Sequence, residues 1–160
     1  MVVANGGLPT GDERIPKAFK MWQEFSQTTP QFDVGAIVDM GTMATLSQTT
    51  KDAYNAPFPD ESYKGGARIF PALVPTTPDN PASAANRAAW QALKLFEKPF
   101  LTAFSDSDPI TRGGDRPFRE LVPGARDQPH TVIEGAGHFL QEDKGPELAQ
   151  HIVQWMKPAK

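Results

Sequence analysis

Apolar and polar residues along the chain form patterns that predict short buried strands and amphipathic helices. Continuous apolar runs, each followed by loop-type residues, predict strands at Met1–Ala4, Pro99–Phe104 and His130–Ile133. Helices are predicted at Ile15–Ser26, Ser83–Glu97, 115–122 and Lys144–Met156. Because uninterrupted apolar strands alternate with helices in the second half of the chain, we expect a parallel sheet and an α/β fold.

The long segment between the first two predicted strands has a different character. From Gln27 to Pro81 it consists of short helical or irregular pieces that are broken repeatedly by prolines. We therefore expect an inserted helical domain. The predicted parts are residues 1–11, with the first strand and its loop, residues 12–95, the helical domain, and residues 96–160, the remaining strands and helices of the α/β core.

The composition of the chain argues against several classes of function. The net charge is −3 and no Lys/Arg run is present, which argues against a nucleic-acid partner. No stretch approaches the ~18 apolar residues of a membrane span, and the first residues lack the pattern of a secretory signal. Zero cysteines exclude a disulfide framework, a thiol nucleophile and a thiolate metal site. We expect a cytoplasmic protein with no membrane partner.

Ionisable residues follow two neighbouring predicted strands. Asp106 and Asp108 come after the second strand, and Glu134 and His138 come after the third. Sites in parallel sheets form at the carboxyl ends of strands, where a carboxylate can orient a histidine and stabilise its protonated form. The structural alternative is an aspartate that caps the turn at Pro109 and a histidine that belongs to the core. We favour Asp108 and His138 as a catalytic pair.

The remaining histidines and one tryptophan have structural interpretations. We expect His130 to lie on the surface and His151 to be structural, and the histidines lack the spacing of a metal site. Trp22 shares an apolar helix face with Phe19 and Phe25, which favours core packing. The alternative is that its indole N–H, which can only donate, binds a halide or another compact anion.

Several strings along the chain form one specific combination. They are NGGLPTGD (5–12), FKMWQEFS (19–26), AYNAPFPDESYKGGARIFPALVP (53–75), FSDSDPIT (104–111) and GAGHFLQE (135–142). This combination resembles haloalkane dehalogenases of the α/β-hydrolase superfamily, in the subfamily whose helical cap carries a halide-binding tryptophan. The resemblance implies the C-terminal part of an α/β-hydrolase fold, with the cap and the last three parallel strands. It also implies hydrolysis of a small haloalkane by water to an alcohol and a halide ion, without a cofactor.

The resemblance assigns roles residue by residue. His138, in the GAGHF string, matches the base that activates water. Asp108, directly before Pro109, matches the acid that orients this base, with Asp106 as the runner-up. Trp22 matches the halide-binding tryptophan of the cap. Residues at pocket-lining positions are Phe19, Phe70, Pro71, Val74, Ile110 and Phe139.

Two motifs of the family are absent from these 160 residues. The family's nucleophilic aspartate lies in a Val-x-Gln-Asp-Trp-like string, and its oxyanion segment contains His-Gly; neither occurs here. We therefore expect a fragment without a nucleophile that is inactive alone. We expect its partner along the first strand to be the N-terminal half of the same enzyme or a second copy of this chain.

Three alternatives remain open. The chain could be a truncated hydrolase-fold fragment without any catalytic role. It could also derive from an epoxide hydrolase, which needs phenol O–H donors in the cap, although Tyr54 and Tyr63 are the only tyrosines. A serine esterase of the same superfamily is the third alternative, because the nucleophile is not part of the sequence.

Overall fold

A computed structural model describes residues 1–157. The elements in chain order are β1 (Val2–Val3), α1 (Lys17–Thr28), α2 (Val34–Met40), α3 (Gln48–Asn55), a 3₁₀ turn (Glu61–Lys64), α4 (Gly65–Leu73), α5 (Ser83–Leu93), β2 (Leu101–Ser105), α6 (Arg116–Leu121), a second 3₁₀ turn (Pro123–Ala125), β3 (Thr131–Ile133) and α7 (Leu140–Met156). Within residues 1–157 no helix combines the length and the apolar character that crossing a membrane requires.

The three strands form one parallel sheet in the order β1-β2-β3. Val2 pairs with Leu101 on one side of β2, and Ala103 pairs with Thr131 on the other. The central strand β2 is buried throughout, as an uninterrupted apolar run in a parallel sheet predicts. The first strand is shorter than expected and only half-buried, because it is paired on one side alone.

Contacts divide the chain into two compact units. The core unit contains Met1–Gly7, Gly41–Met43 and the residues from Gln91 onward, and the helical unit contains Leu8–Met40 and Ala44–Trp90. Residues 41–43 thus pack with the core unit although helical-unit residues flank them on both sides. No sequence pattern indicated this assignment, and the division at 11/12 and 95/96 stays a prediction.

The core unit packs around aromatic rings beside the central strand. Phe100, fully buried just before β2, stacks on Phe118 of α6 with ring centroids 5.7 Å apart. The turn that follows α6 lies close to the chain preceding β2, because Gly124 N donates to Phe96 O at 2.8 Å and Gly124 O accepts from Phe100 N at 2.9 Å. A Cβ at Gly124 would lie only 1.9 Å from Lys98 O, so this approach requires glycine.

The expectation that His130 lies on the surface is wrong. Its Nδ1 is 3.1 Å from Thr102 N and 2.9 Å from Thr102 Oγ1, and its Nε2 is 2.7 Å from Ala125 O. The amide of Thr102 can only donate, so Nδ1 accepts and Nε2 carries the proton that is donated to Ala125. The ring is half-buried because it joins β2 to the second 3₁₀ turn.

The helical unit is held by side-chain to backbone hydrogen bonds between α1 and α4. Gln23 Nε2 of α1 donates to Pro71 O of α4 at 3.0 Å. The Arg68 guanidinium of α4 donates to Thr29 O at 2.8 Å and pairs with Glu61 at 2.6 Å. These contacts bind carbonyl groups near helix ends, where the regular hydrogen bonds of a helix run out.

Hydrogen bonds also join the two ends of the helical unit. Trp90 Nε1 donates to Leu8 O at 2.7 Å, and Asn86 Nδ2 donates to Pro9 O at 2.6 Å. Arg87 pairs with Asp12 at 2.9 Å. The chain therefore leaves the helical unit close to the point where it enters.

The bounds of two predicted helices differ from those observed. α5 ends at Leu93 rather than Glu97, and α7 begins at Leu140 rather than Lys144. Lys144 has non-helical backbone angles (φ −140°, ψ 31°), so α7 is interrupted there. Met156, the last residue of α7, is 71% exposed. The exposure of Met156 follows from the length of α7. Its 17 residues span roughly 25 Å, whereas the three residues of β3 span roughly 10 Å, so the end of α7 extends past the strand.

Candidate active site

The turns after β2 and β3 continue the parallel pairing beyond the strands themselves. Asp106 N donates to Ile133 O at 3.2 Å, and Ser107 N donates to Ala136 O at 3.2 Å. The two turns therefore leave the sheet side by side at its carboxyl edge. This continuation brings together the two residues that the sequence placed on separate strand ends, Asp108 and His138.

Asp108 is a fully buried carboxylate with three donors around it. Its side chain is 0% exposed and accepts from Ile110 N at 2.8 Å, from Thr111 Oγ1, and from His138 Nδ1 at 2.9 Å. Burial raises the pKa of Asp108, but the hydrogen bonds from His138, Thr111 and Ile110 together outweigh burial and leave the pKa below its ordinary value. Asp108 is therefore ionised at neutral pH.

His138 is held in one tautomer by this carboxylate. An ionised carboxylate can only accept, so the proton between Asp108 and His138 lies on Nδ1 and the neutral ring carries its lone pair on Nε2. The side chain is 32% exposed, and among residues 1–157 no donor or acceptor is bound to Nε2. The ring also meets Phe139 edge-to-face at 5.2 Å. The geometry suits a histidine that takes a proton from a small molecule.

Asp106 has a different position from Asp108. Its Oδ1 accepts from Gly135 N at 2.9 Å and from Ser107 Oγ at 2.9 Å. The Ser107 hydroxyl has the largest effect and lowers the pKa of Asp106; burial raises this pKa by less, and the amides of Gly135 and Ala136 lower it further. Gly135 has a φ of 67°, which favours glycine. Asp106 therefore shapes the turn before His138, and the structure brings Asp108 rather than Asp106 to the imidazole.

Asn5, two residues after β1, connects the ends of all three strands. Its Nδ2 donates to Ser105 Oγ at 2.8 Å, to Gly137 O at 2.9 Å and to His138 O at 3.0 Å. Its Oδ1 accepts from Ser105 N at 2.8 Å. Asn5 has a φ of 42°, a conformation that asparagine tolerates better than most residues.

Sequence reasoning missed both Asn5 and Thr111 as parts of this site. The available signals were the Asn-Gly pair after an apolar strand and the Asp-Pro-Ile-Thr spacing. Both are typical of turns in which a short polar side chain binds the backbone.

Trp22 lies in the helical unit, near the middle of α1. Its ring stacks on Phe25 at 6.0 Å and lies 5.8 Å from Phe32. The other two tryptophans donate their indole N–H to protein oxygens at 2.7 Å, Trp90 to Leu8 and Trp155 to Gln128. Within the described 157 residues, no protein group accepts from the N–H of Trp22, and its side chain is only half-buried.

The six predicted pocket residues divide between the units. Ile110 and Phe139 lie in the core unit, where Ile110 N binds Asp108 and Phe139 touches the His138 ring. In the helical unit, Phe19 lies on α1, Phe70 and Pro71 lie on α4, and Val74 ends α4. Pro71 is buried, whereas Phe70 is 69% exposed. Among residues 1–157 no group of histidines and carboxylates could hold a metal ion.

Comparison with solved structures defines the class of fold. A tetrameric haloalkane dehalogenase from Paraglaciecola agarilytica NO2 matches with a TM-score of 0.83 at 24% identity, over 98% of this chain and 52% of that one. One from Bradyrhizobium elkani USDA94 matches with a TM-score of 0.71 at 18% identity, over 96% of this chain and 57% of that one. The predicted class is therefore confirmed: the chain has part of an α/β-hydrolase fold.

Comparison with curated sequences defines the relationship more closely, although no family model matches the chain. A haloalkane dehalogenase from Psychrobacter cryohalolentis is 56% identical over 156 residues, which are 98% of this chain and 52% of that protein. One from Mycobacterium marinum is 51% identical over 155 residues, 97% of this chain and 52% of that protein. The resemblance to haloalkane dehalogenases is confirmed, and the chain spans about half the length of the curated relatives it matches.

Proposed function

We propose that the chain contributes the base, the acid and one halide donor to a hydrolytic haloalkane dehalogenase. The observation that carries the proposal is the 2.9 Å hydrogen bond between His138 Nδ1 and the buried Asp108. It leaves Nε2 as a proton acceptor at the carboxyl edge of the sheet, as a water-activating base requires. The similarity to curated dehalogenases favours this activity over an epoxide hydrolase, an esterase or a fragment without catalytic role.

The proposed reaction has two steps. In the first, a carboxylate oxygen attacks the carbon that bears the halogen, the carbon–halogen bond breaks with its electron pair on the halide, and an alkyl ester forms. In the second, His138 Nε2 takes a proton from water while the water oxygen adds to the ester carbonyl carbon. The ester collapses to alcohol and free carboxylate, and His138 releases the proton to solvent. Asp108 stabilises the imidazolium between these events.

Trp22 is the proposed halide donor. Its indole N–H is available, unlike those of Trp90 and Trp155, and an N–H aimed at developing charge stabilises the transition state. Phe19, Phe70, Pro71, Val74, Ile110 and Phe139 are proposed to line the pocket for the small haloalkane. Their apolar side chains would keep water from the nucleophile. No cofactor takes part in either step.

The nucleophile must come from outside these 160 residues, because they contain no Asp-Trp string. β1 is the end strand of the sheet order, so its second edge can accept another strand. We propose that this edge pairs with the N-terminal half of the same enzyme, with a second copy of this chain as the alternative. The absence of cysteine supports the proposed cytoplasmic location.

Halide release from 1-bromobutane tests the proposal. We expect none from the 160-residue chain alone and turnover after addition of a polypeptide that corresponds to the remaining half of the Psychrobacter cryohalolentis relative. Parallel assays with an epoxide and an ester distinguish the alternatives. Turnover of bromobutane by the chain alone, or of the epoxide or ester only by the mixture, contradicts the proposal.

A variant at His138 separates the two steps. In the mixed protein, His138→Gln should release at most one halide ion per site and then stop, since the first step needs no base. Mass spectrometry should find the alkyl ester on the added polypeptide.

For Trp22, the change to Phe should slow halide release about 10²-fold, whereas Trp155→Phe, which removes an N–H already bound to Gln128, should not. Equal effects of the two tryptophan changes would refute the role of Trp22.

A further inference from the structure

The turn that carries His138 is bound to residues 41–43, a segment distant in sequence. Gly41 O accepts from Phe139 N at 3.2 Å, so one contact lies directly after the histidine. On the other side of His138, a Cβ at Gly137 would lie 2.4 Å from Gly41 O. Glycine at 137 therefore allows the two backbones to approach each other.

Asp143 joins these two pieces of backbone. Its Oδ2 accepts from Gly137 N at 2.8 Å and from Met43 N at 2.9 Å, and its Oδ1 is 3.0 Å from Met43 N. Asp143 lies in the first turn of α7, immediately before the interruption at Lys144. One carboxylate thus binds two amides from segments that are far apart in the sequence.

We propose that Asp143 is a positioning residue for His138. Its bond to Gly137 N closes the segment 137–143, which contains His138 and the first turn of α7, and its bond to Met43 N ties that segment to residues 41–43. Asn5 holds the carbonyl groups of Gly137 and His138 from β1. The backbone on both sides of the histidine is thereby bound to other segments, and the imidazole is directed toward Asp108.

A carboxylate suits this position better than a neutral acceptor. Its oxygens can accept several hydrogen bonds at once, and bonds from N–H groups to a charged acceptor are shorter and stronger than neutral ones. Both amides lie outside regular secondary structure, and Gly137 is buried, so its N–H would be costly to leave without a partner. Removing the carboxylate should therefore free the His138 turn while the three strands keep their own pairing.

This inference rests on the proposed role of His138 as the base, but its test needs no turnover. In the 160-residue chain, the His138 Nδ1–H that is donated to Asp108 should give a ring-proton NMR signal protected from exchange with water. The His130 Nε2–H, donated to Ala125 O in the same unit, gives an internal reference signal. Halide assays test the proposed function separately, so failure of one leaves the other intact.

Asp143→Ala should abolish the His138 ring-proton signal and keep that of His130. It should also speed amide exchange at Gly137 and Met43 by about tenfold or more, the factor that one charge-assisted bond represents. Glu134→Ala is the matched control. It removes a carboxylate from the same turn, at an exposed position with no observed hydrogen bond within residues 1–157, and should change neither signal.

An unchanged His138 signal in Asp143→Ala, or equal loss in Glu134→Ala, overturns the inference. Loss of both histidine signals in Asp143→Ala would indicate unfolding, and Asp143→Asn then decides. The asparagine keeps one oxygen acceptor, so the unit should stay folded and the His138 signal alone should weaken. If Asp143→Asn loses both signals or neither, Asp143 has no specific positioning role.

Discussion

Asp108→Asn tests the pairing of Asp108 with His138 most directly. The asparagine has nearly the same shape, but an amide nitrogen replaces one carboxylate oxygen and can only donate. Where it replaces Oδ2, it faces His138 Nδ1, so Nδ1 must accept and the proton moves to Nε2. The ring can then no longer take a proton from water at Nε2. In the mixed protein, where His138 is the proposed base, this tautomer change should lower kcat about 10⁴-fold.

The effect of Asp108→Asn on stability follows from the same contacts. The substitution replaces two bonds to a charged acceptor, from Thr111 and His138, each worth about 1.5–3 kcal/mol, with bonds of a neutral amide worth about 0.5–1.5 kcal/mol each. The asparagine also avoids burying a charge in a fully buried position, which offsets part of this loss. We expect the free energy of unfolding at neutral pH to fall by about 2 kcal/mol.

The pH dependence of the free energy of unfolding provides a second test of Asp108→Asn. Because the pKa of Asp108 is lower in the folded chain than its ordinary value, its stabilisation is present at neutral pH and is lost as pH falls through the folded-state pKa. The stability difference between the original chain and Asp108→Asn should therefore shrink below pH ~4.

The assay for Asp108→Asn combines urea unfolding with nitrogen-15 NMR of the histidine rings. The ring spectrum should show His138 protonated at Nε2 in Asp108→Asn and at Nδ1 in the original chain. Asp106→Asn is the matched control, because Asp106 binds Gly135 and Ser107 instead. A His138 tautomer unchanged by Asp108→Asn, or changed equally by Asp106→Asn, would refute the assignment of the acid.

Two further predictions concern stability and titration. Gly124→Ala should lower the free energy of unfolding by about 1–3 kcal/mol, since its Cβ would overlap Lys98 O. Gly66→Ala, at an open position of α4 with nothing within 4 Å of the new Cβ, should instead raise it by about 0.5–1 kcal/mol; equal effects in chemical denaturation would contradict this reasoning. Lys64, followed by Arg68, lowers the pKa of Glu61 to about 2, so carbon-13 NMR should show Glu61 ionised down to that pH and Lys64→Met should raise its pKa.

Sequence patterns predicted those parts of the fold that depend on neighbours along the chain. Apolar periodicity located α1 and α5, and the uninterrupted run at β2 identified the buried central strand. The start of α7 was misplaced because Gly145 and Pro146 indicate a new helix near Lys144, whereas the preceding turn is also helical. His130 was misjudged because its three contacts come from β2 and a 3₁₀ turn, and no local pattern records such contacts.

The candidate site, like the fold, could be predicted from the sequence only in part. Two ionisable residues at neighbouring strand ends were enough to predict the approach of Asp108 and His138, because parallel strands end at one edge. The roles of Asn5 and Asp143 could not be predicted, since each binds backbone groups of a segment a hundred or more residues away. Backbone amides look alike in every sequence, so only the folded chain reveals which ones a carboxylate binds.

The bonded ends of the helical unit have a consequence for the order of folding. The pairing of Met1 with Pro99 closes a loop with a sequence separation of 98, and the length-dependent entropy cost of such a loop is about 4 kcal/mol. The bond between Trp90 and Leu8 shortens this loop as soon as the helical unit has folded. Because that unit is synthesised before β2 and β3, we expect it to fold first on the ribosome and to bring the two parts of the sheet together.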